Sequence, residues 1–333
     1  MPKPVPTFVV DYPEAHAAME RISKRFSTER AGVFPSLGRS PVTADMAPHE
    51  VPSTPFVVVN GSGNYHHETV PLVEGFLRAR PEGQFAYIQI DAHPDKTERF
   101  RWKCECGTFL GRILANPRID NVHLLGLNLP CLLEKGASEL YTRHLAYYGC
   151  DYFGKLQQYV AAGSELEEVF WHFEEQDYLH AQANPSVLRA ALEERVPPPR
   201  RPGLPAALLD TEPEPALVVS WRSLVDFDVA SLPNLPVYLS VDLDVSRETP
   251  VTDWRERFEQ AENRFGVVDN EGVMDFADVL ALIRRIGAAR EVAAADVCGL
   301  TEHLGALSEE AREMSLVALE EVYEALWTAV AGA

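Results

Sequence analysis

Short runs of apolar, β-branched residues alternate along the chain with longer stretches in which apolar positions recur every three to four residues. The first kind reads as strand and the second as helix. The predicted strands are Thr7 to Val10, Phe56 to Asn60, Phe85 to Asp91, Val122 to Gly126, Ala216 to Trp221, Val237 to Asp242 and Glu291 to Val297. Several are apolar throughout, as strands are when helices cover both faces of a parallel sheet. A helix is predicted over Asp275 to Ala289, where Val279, Leu280, Ile283 and Ile286 form one stripe behind a capping Asp275. A second is predicted over Ser308 to Ala329, with Leu319, Val322, Tyr323, Leu326 and Val330 on one face and Ser308, Glu309 and Glu310 at its start. The second stripe is assigned to core packing. Alternating strands and helices place the chain in the α/β class, around a mainly parallel sheet.

Two proline-rich segments, 33–55 and 196–215, read as long surface loops, and the aromatic- and glutamate-rich span 149–195 reads as a helical insertion. The chemistry described below draws on both sides of the second loop, so residues 1–333 are expected to form a single domain. The hydrophobic content of 46% and charged content of 24% suit a globular core and exclude disorder. No apolar run approaches the roughly 20 residues of a membrane-spanning helix. Thirty Lys and Arg against fifty Asp and Glu give a net charge of −20, which repels phosphates and anionic headgroups. Neither nucleic acid nor membrane is therefore an expected partner. The N-terminus lacks the apolar segment of a secretory signal, which makes the cytoplasm the expected location. Five cysteines, odd in number and sparse, suit reduced thiols, and the lone pair Cys104 and Cys106 lacks the second pair of a structural zinc site.

The chemistry concentrates at strand ends. The apolar run from Tyr87 ends in Asp91-Ala92-His93-Pro94-Asp95, three potential metal ligands spaced two apart and so on one side of an extended chain. A second apolar strand ends in Asp242-Leu243-Asp244 with the same spacing. In parallel α/β sheets, ligands bind outside the carboxyl ends of the strands, where both clusters fall. Four carboxylates crowded on one edge without a counter-charge raise one another's pKa and destabilise the fold. Two divalent cations would balance Asp91, Asp95, Asp242 and Asp244 charge for charge. Oxygen-rich ligation with some imidazole favours Mn²⁺, with Zn²⁺, Fe²⁺ or Co²⁺ as alternatives. A third segment, the glycine-rich turn after Asn60, ends in the adjacent pair His66 and His67.

In these three ordered motifs the sequence resembles the ureohydrolases: arginases, agmatinases and formiminoglutamases. Asp91 to Asp95 is similar to the family's D-A-H-x-D, Ser240 to Asp244 to its S-x-D-x-D, and the turn ending in His67-Glu68 to a diverged G-G-x-H-[SE]. The resemblance implies a three-layer α/β/α fold with about eight strands. It also implies one Mn²⁺ on His67, Asp91, Asp95 and Asp242 and a second on Asp91, His93, Asp242 and Asp244. His67 is preferred to His66 because the glutamate after it fits the family pattern. The activity implied is hydrolysis of a guanidino or amidino C–N bond, with Asp95 moving a proton to the leaving amine, and ureohydrolases are often homo-oligomers.

The sequence departs from the pattern in two places. Leu110 stands where arginases carry a histidine, and Gly299 where arginases and agmatinases carry a guanidinium-binding glutamate. Glu302 is a candidate replacement for that glutamate, and His303 beside it a candidate acid or base. An intact metal set with an altered recognition shell suggests a non-standard guanidino substrate, such as an arginine side chain within a peptide. Two other readings are a zinc-dependent deacetylase-like amidohydrolase and a metal-binding protein without turnover. Asp95 and Asp244 argue against the first, since a single-zinc site would not need them.

Overall fold

The computed structural model describes residues 5–95 apart from 27, 29, 39, 41, 44 and 45, followed by 109–128, 155–161, 222–249, 272–300 and 308–332. Its strands are β1 (Thr7–Val10), β2 (Arg30–Phe34), β3 (Phe56–Val59), β4 (Phe85–Ile90), β5 (Ile119–Leu127), β6 (Leu156–Val160), β7 (Arg222–Ser223), β8 (Val237–Asp242) and β9 (Val292–Cys298). They join in one nine-stranded sheet of order β2-β1-β3-β9-β8-β4-β5-β6-β7. Every pairing in it is parallel. The α/β class and parallel sheet are as the hydrophobic pattern predicts, and nine strands come close to the eight or so that the resemblance implies. Every residue of β3, β4, β8 and β9 is buried, which is the physical reason their sequences carry no alternation.

Helices α1 (Pro13–Phe26), α4 (Phe276–Ala289) and α5 (Glu309–Ala331) pack together, with α5 also lying on β3 and β9. Helices α2 (Thr69–Ala79) and α3 (Leu110–Ala115) pack on each other. The stripe predicted for α5 is buried, from Leu319 at 0% exposure to Val330 at 5%. Its Ser308 caps the first turn by accepting from the Ala311 amide at 3.1 Å. Asp275 does not cap α4 through its side chain: its carboxylate instead pairs with Arg247 at 2.9 Å.

Residues 156–160, expected in a helical insertion over 149–195, form β6 instead, and the remainder of that span lies outside the described residues. Two glutamines break the apolar run of β6 and hide its strand character, although Gln158 is itself buried. The predicted strand 216–221 and the loop 196–215 also lie outside the described residues.

The register of the three central strands builds the site. Gln89 on β4 pairs with Ser240 on β8, and Ser240 pairs with Asp296 on β9. Two residues further along the same face, Asp242 pairs with Cys298, while Asp91 follows the last β4 pair, Ile90 with Val241. Two residues back, Tyr87 pairs with Tyr238, and their rings stack 6.0 Å apart. One sheet face therefore grades from buried aromatics through Gln89, Ser240 and Asp296 to Asp91, Asp242 and Cys298 at the carboxyl edge. Burying large side chains such as Tyr87, Tyr238 and Phe56 contributes roughly 1.5–3 kcal/mol each, which offsets the cost of placing acids above them.

Candidate metal centre

Four strand ends converge because the chain leaves β3, β4, β8 and β9 on the same side of a parallel sheet. After β4, the His93 amide donates to Asp91 Oδ1 at 2.6 Å, turning the chain tightly around the carboxylate. After β8, the Asp244 amide donates to Asp242 Oδ1 at 3.2 Å in the same manner. The two Asp-x-His/Asp turns thus use one oxygen of their leading aspartate for the backbone. Asp95 adopts φ +43, a left-handed conformation that costs a non-glycine residue on the order of 1 kcal/mol and that clusters at functional sites. After β3, a 3₁₀ turn over Gly63–Glu68 brings His66 over the cluster.

His66 Nδ1 lies 3.2 Å from Asp91 Oδ2, 3.1 Å from Asp95 Oδ2 and 3.5 Å from Asp242 Oδ2. His93 Nδ1 lies 2.9 Å from Asp244 Oδ2 and 3.5 Å from Asp91 Oδ1. Among the described residues, three groups offer ligand atoms within 4.8 Å of one another: His66 with Asp91 and Asp95, Asp91 with His93 and Asp244, and His66 with Asp242 and Cys298. His66 is 1% exposed and marks the inner end, whereas the His93 side chain is 20% exposed and marks the open end.

A buried network fixes the orientation of His66. Ser240 Oγ donates to Asp296 Oδ1 at 2.7 Å, Thr69 Oγ1 donates to the same oxygen at 3.2 Å, and the Tyr238 hydroxyl donates to Oδ2 at 2.7 Å. With its proton committed to Asp296, Ser240 accepts from His66 Nε2–H at 2.9 Å. Nδ1 is then left facing three carboxylates, buried and without hydrogen-bond geometry to any of them. Asp244 Oδ1 is likewise buried without a hydrogen-bond partner. On the other side, the Gln89 amide donates to Asp91 Oδ2 at 2.7 Å and Asp95 Oδ2 at 3.1 Å, and the Tyr87 hydroxyl donates to Gln89 at 3.1 Å.

The electrostatics call for a cation at the inner end. Burial opposes a charge on His66, yet Cys298, Asp91 and Asp95 together push its pKa well above the ordinary 6.5. Burial and the charges of Asp244 and Asp91 push Asp242 well above the usual carboxylate range. Burial also raises Asp91, but the adjacent imidazoles of His66 and His93 outweigh it and hold Asp91 low. Nitrogen and carboxylate donors converging with unshared lone pairs fit divalent metal, which removes the repulsion that raises Asp242.

Asp91, His93, Asp95, Asp242 and Asp244 come together as the strand-end spacing predicts. The histidine assignment changes: His66, not His67, faces the carboxylates. His67 is buried beside the Tyr65 ring, 6.3 Å between centroids, and belongs to none of the three groups. The turn puts adjacent side chains on different sides, and a sequence motif does not say which side faces in. Glu302 and His303 lie outside the described residues. Cys298 is the residue that sequence reasoning missed. Asp296 and Cys298 repeat at the end of β9 the two-residue spacing seen at Asp91-His93 and Asp242-Asp244, and that signal was legible.

The two departures have structural causes. Leu110 is fully buried at the start of α3, with its amide donating to the Asp95 carbonyl at 3.0 Å, so it is a core residue. Gly299 has φ +101, and a Cβ there would stand 2.4 Å from both Asp242 Oδ1 and the Leu243 nitrogen. No side chain fits at 299. Gly63 is similarly close, its Cβ position being 2.8 Å from Asp242 Oδ2.

No family model and no curated protein matches the chain. Solved structures do. Proclavaminate amidino hydrolase from Streptomyces clavuligerus aligns over 100% of this chain and 94% of its own at 16% identity, with a TM-score of 0.47. Formimidoylglutamase from Bacillus subtilis aligns over 98% and 86% at 12% identity, with a TM-score of 0.46. An arginase-like protein from T. brucei aligns over 97% and 91% at 12% identity, with a TM-score of 0.44. The chain is thus similar, at low identity, to solved structures of the ureohydrolase kind whose motifs its sequence resembles.

Proposed function

We propose that the chain is a binuclear metal hydrolase that cleaves a guanidino or amidino C–N bond. The observation that carries this reading is the pair of ligand groups sharing Asp91, one with His66 and Asp95 and the other with His93 and Asp244. When bound, a pair of divalent cations would lower the pKa of water toward neutrality and so supply a nucleophile at physiological pH. His66, Asp91, Asp95 and Asp242 would hold the inner cation, and Asp91, His93 and Asp244 the outer one.

The chain's own residues then orient the reaction. Asp91 and Asp95 are held by the Gln89 amide, which keeps both carboxylates aimed at the shared space. Substrate approaches from the more exposed His93 side, where Asp244 offers a carboxylate to a cationic guanidinium. Water adds to the central carbon, the C–N bond to the leaving amine breaks, and Asp95 carries the proton from the water to the departing nitrogen. The product is urea when the two nitrogens that stay on the carbon are unsubstituted.

Because no side chain fits at 299, the guanidinium cannot be gripped from that position, which supports a substrate other than free arginine, including an arginine side chain in a peptide. The same feature, with Leu110 in the core, favours a second reading as a metal-binding protein without turnover. Product release from free arginine, agmatine and an arginine-containing peptide by Mn²⁺-, Co²⁺- or Zn²⁺-loaded protein separates the two. Turnover of any of the three that disappears in Asp95→Asn supports the hydrolase, and inertness toward a wider amidine panel at full metal loading rejects it.

A further inference from the structure

Cys298 ends β9 fully buried, directly beside Asp242 in the sheet register. Its sulfur, an Asp242 oxygen and a His66 ring nitrogen lie within 4.8 Å of one another. The close backbone of Gly299 holds this strand end against Asp242. A second, independent feature points into the same space: His66 Nδ1 is buried without a hydrogen bond, and its other nitrogen is committed to Ser240. The inner end therefore gathers sulfur, imidazole nitrogen and carboxylate oxygen, whereas the outer group of Asp91, His93 and Asp244 has no sulfur.

We propose that Cys298 is a thiolate ligand of the inner cation and that the two metal positions differ in kind. The inner position suits a borderline cation such as Zn²⁺, Co²⁺ or Fe²⁺, because thiolate strengthens binding of these ions far more than of Mn²⁺. The outer position, with carboxylate and imidazole alone, accepts Mn²⁺. This rests on the metal-centre reading above and changes its expected metal content from two Mn²⁺ to an unlike pair. Loading the inner position releases the thiol proton to solvent as the metal–sulfur bond forms, so no oxidant or reductant is involved.

Full-length protein stripped with chelator and reloaded with Co²⁺ tests the idea by absorption spectroscopy. The expected result is a near-ultraviolet sulfur-to-cobalt charge-transfer band that is absent from Cys298→Ser, while the variant still binds cobalt. In competition, the preference of the inner position for Zn²⁺ over Mn²⁺ falls at least about tenfold in the variant, the scale by which even indirect ligand partners change metal affinity. X-ray absorption on zinc-loaded wild-type protein needs no variant and is expected to show a metal–sulfur distance of about 2.3 Å. Cobalt bound in an Asp91-dependent manner with no sulfur band and no metal–sulfur distance overturns the role of Cys298 and leaves the metal centre standing. Failure to bind cobalt or zinc at all overturns both.

Discussion

His66 and His67 are neighbours in sequence, but only His66 faces Asp91, Asp95 and Asp242 among the described residues, and substituting each in turn tests the difference. His66→Ala is expected to abolish binding at the inner position, and His67→Ala to retain it, as measured by metal equivalents per chain in elemental analysis. The residue after them makes a separable prediction. Glu68 accepts hydrogen bonds from the Tyr12 hydroxyl and the Leu37 amide, but burial outweighs these and pushes its carboxyl from 4.5 up to about 7. A raised pKa means that the folded chain holds this proton more tightly than the unfolded chain does. Its stabilising contribution is fully present below about pH 4.5 and is lost as the pH rises through about 7. Glu68→Gln, neutral throughout, is expected to match wild type near the lower pH and to exceed it by on the order of 3 kcal/mol at about pH 8, as measured by denaturant unfolding. Five acidic and imidazole candidates were legible because alternate positions of an extended strand share a side. The choice of histidine was not, since it depends on how a 3₁₀ turn packs; Cys298 was passed over although its spacing from Asp296 repeats that of the other strand ends.

At the level of elements, the strands that read most clearly are those buried on both faces. β1 and β8 have the limits their apolar runs predict, β3 and β4 end one residue earlier, and β9 is shifted by one residue at both ends. The elements missed are of another kind. β2 is largely exposed, β7 is two exposed residues, and β6 carries glutamines, so none has a hydrophobic run to announce it. Helix packing supplies a prediction whose sign discriminates. At an open helical position, Gly→Ala stabilises by about 1 kcal/mol through propensity. Gly287 in α4 is not open: its Cβ would stand 2.5 Å from Ala329 Cβ and 2.8 Å from Ala329 Cα on α5. Overpacking against a backbone atom costs about 1–3 kcal/mol and outweighs the gain. Gly287→Ala is therefore expected to lower the thermal midpoint, and a rise would show that α4 and α5 separate freely.

Across the whole molecule, a net charge of −20 and a knot of buried carboxylates both favour cation binding. Removing divalent metal is expected to lower the thermal midpoint, and restoring it at about a hundred times its dissociation constant to return about 2.7 kcal/mol, as measured by calorimetry before and after chelation.

The cross-strand row of Asp91, Asp242 and Cys298 joins residues far apart in the chain, and His66 adds a fourth distant segment. These groups meet only once β4, β8 and β9 have paired in register, and such non-local pairing is the slow step of folding for this topology. Before that step there is no pocket to recruit an ion. Metal should accordingly leave the refolding rate nearly unchanged and slow unfolding by almost its entire stabilising effect, making the centre a latch on the finished sheet instead of a template for building it.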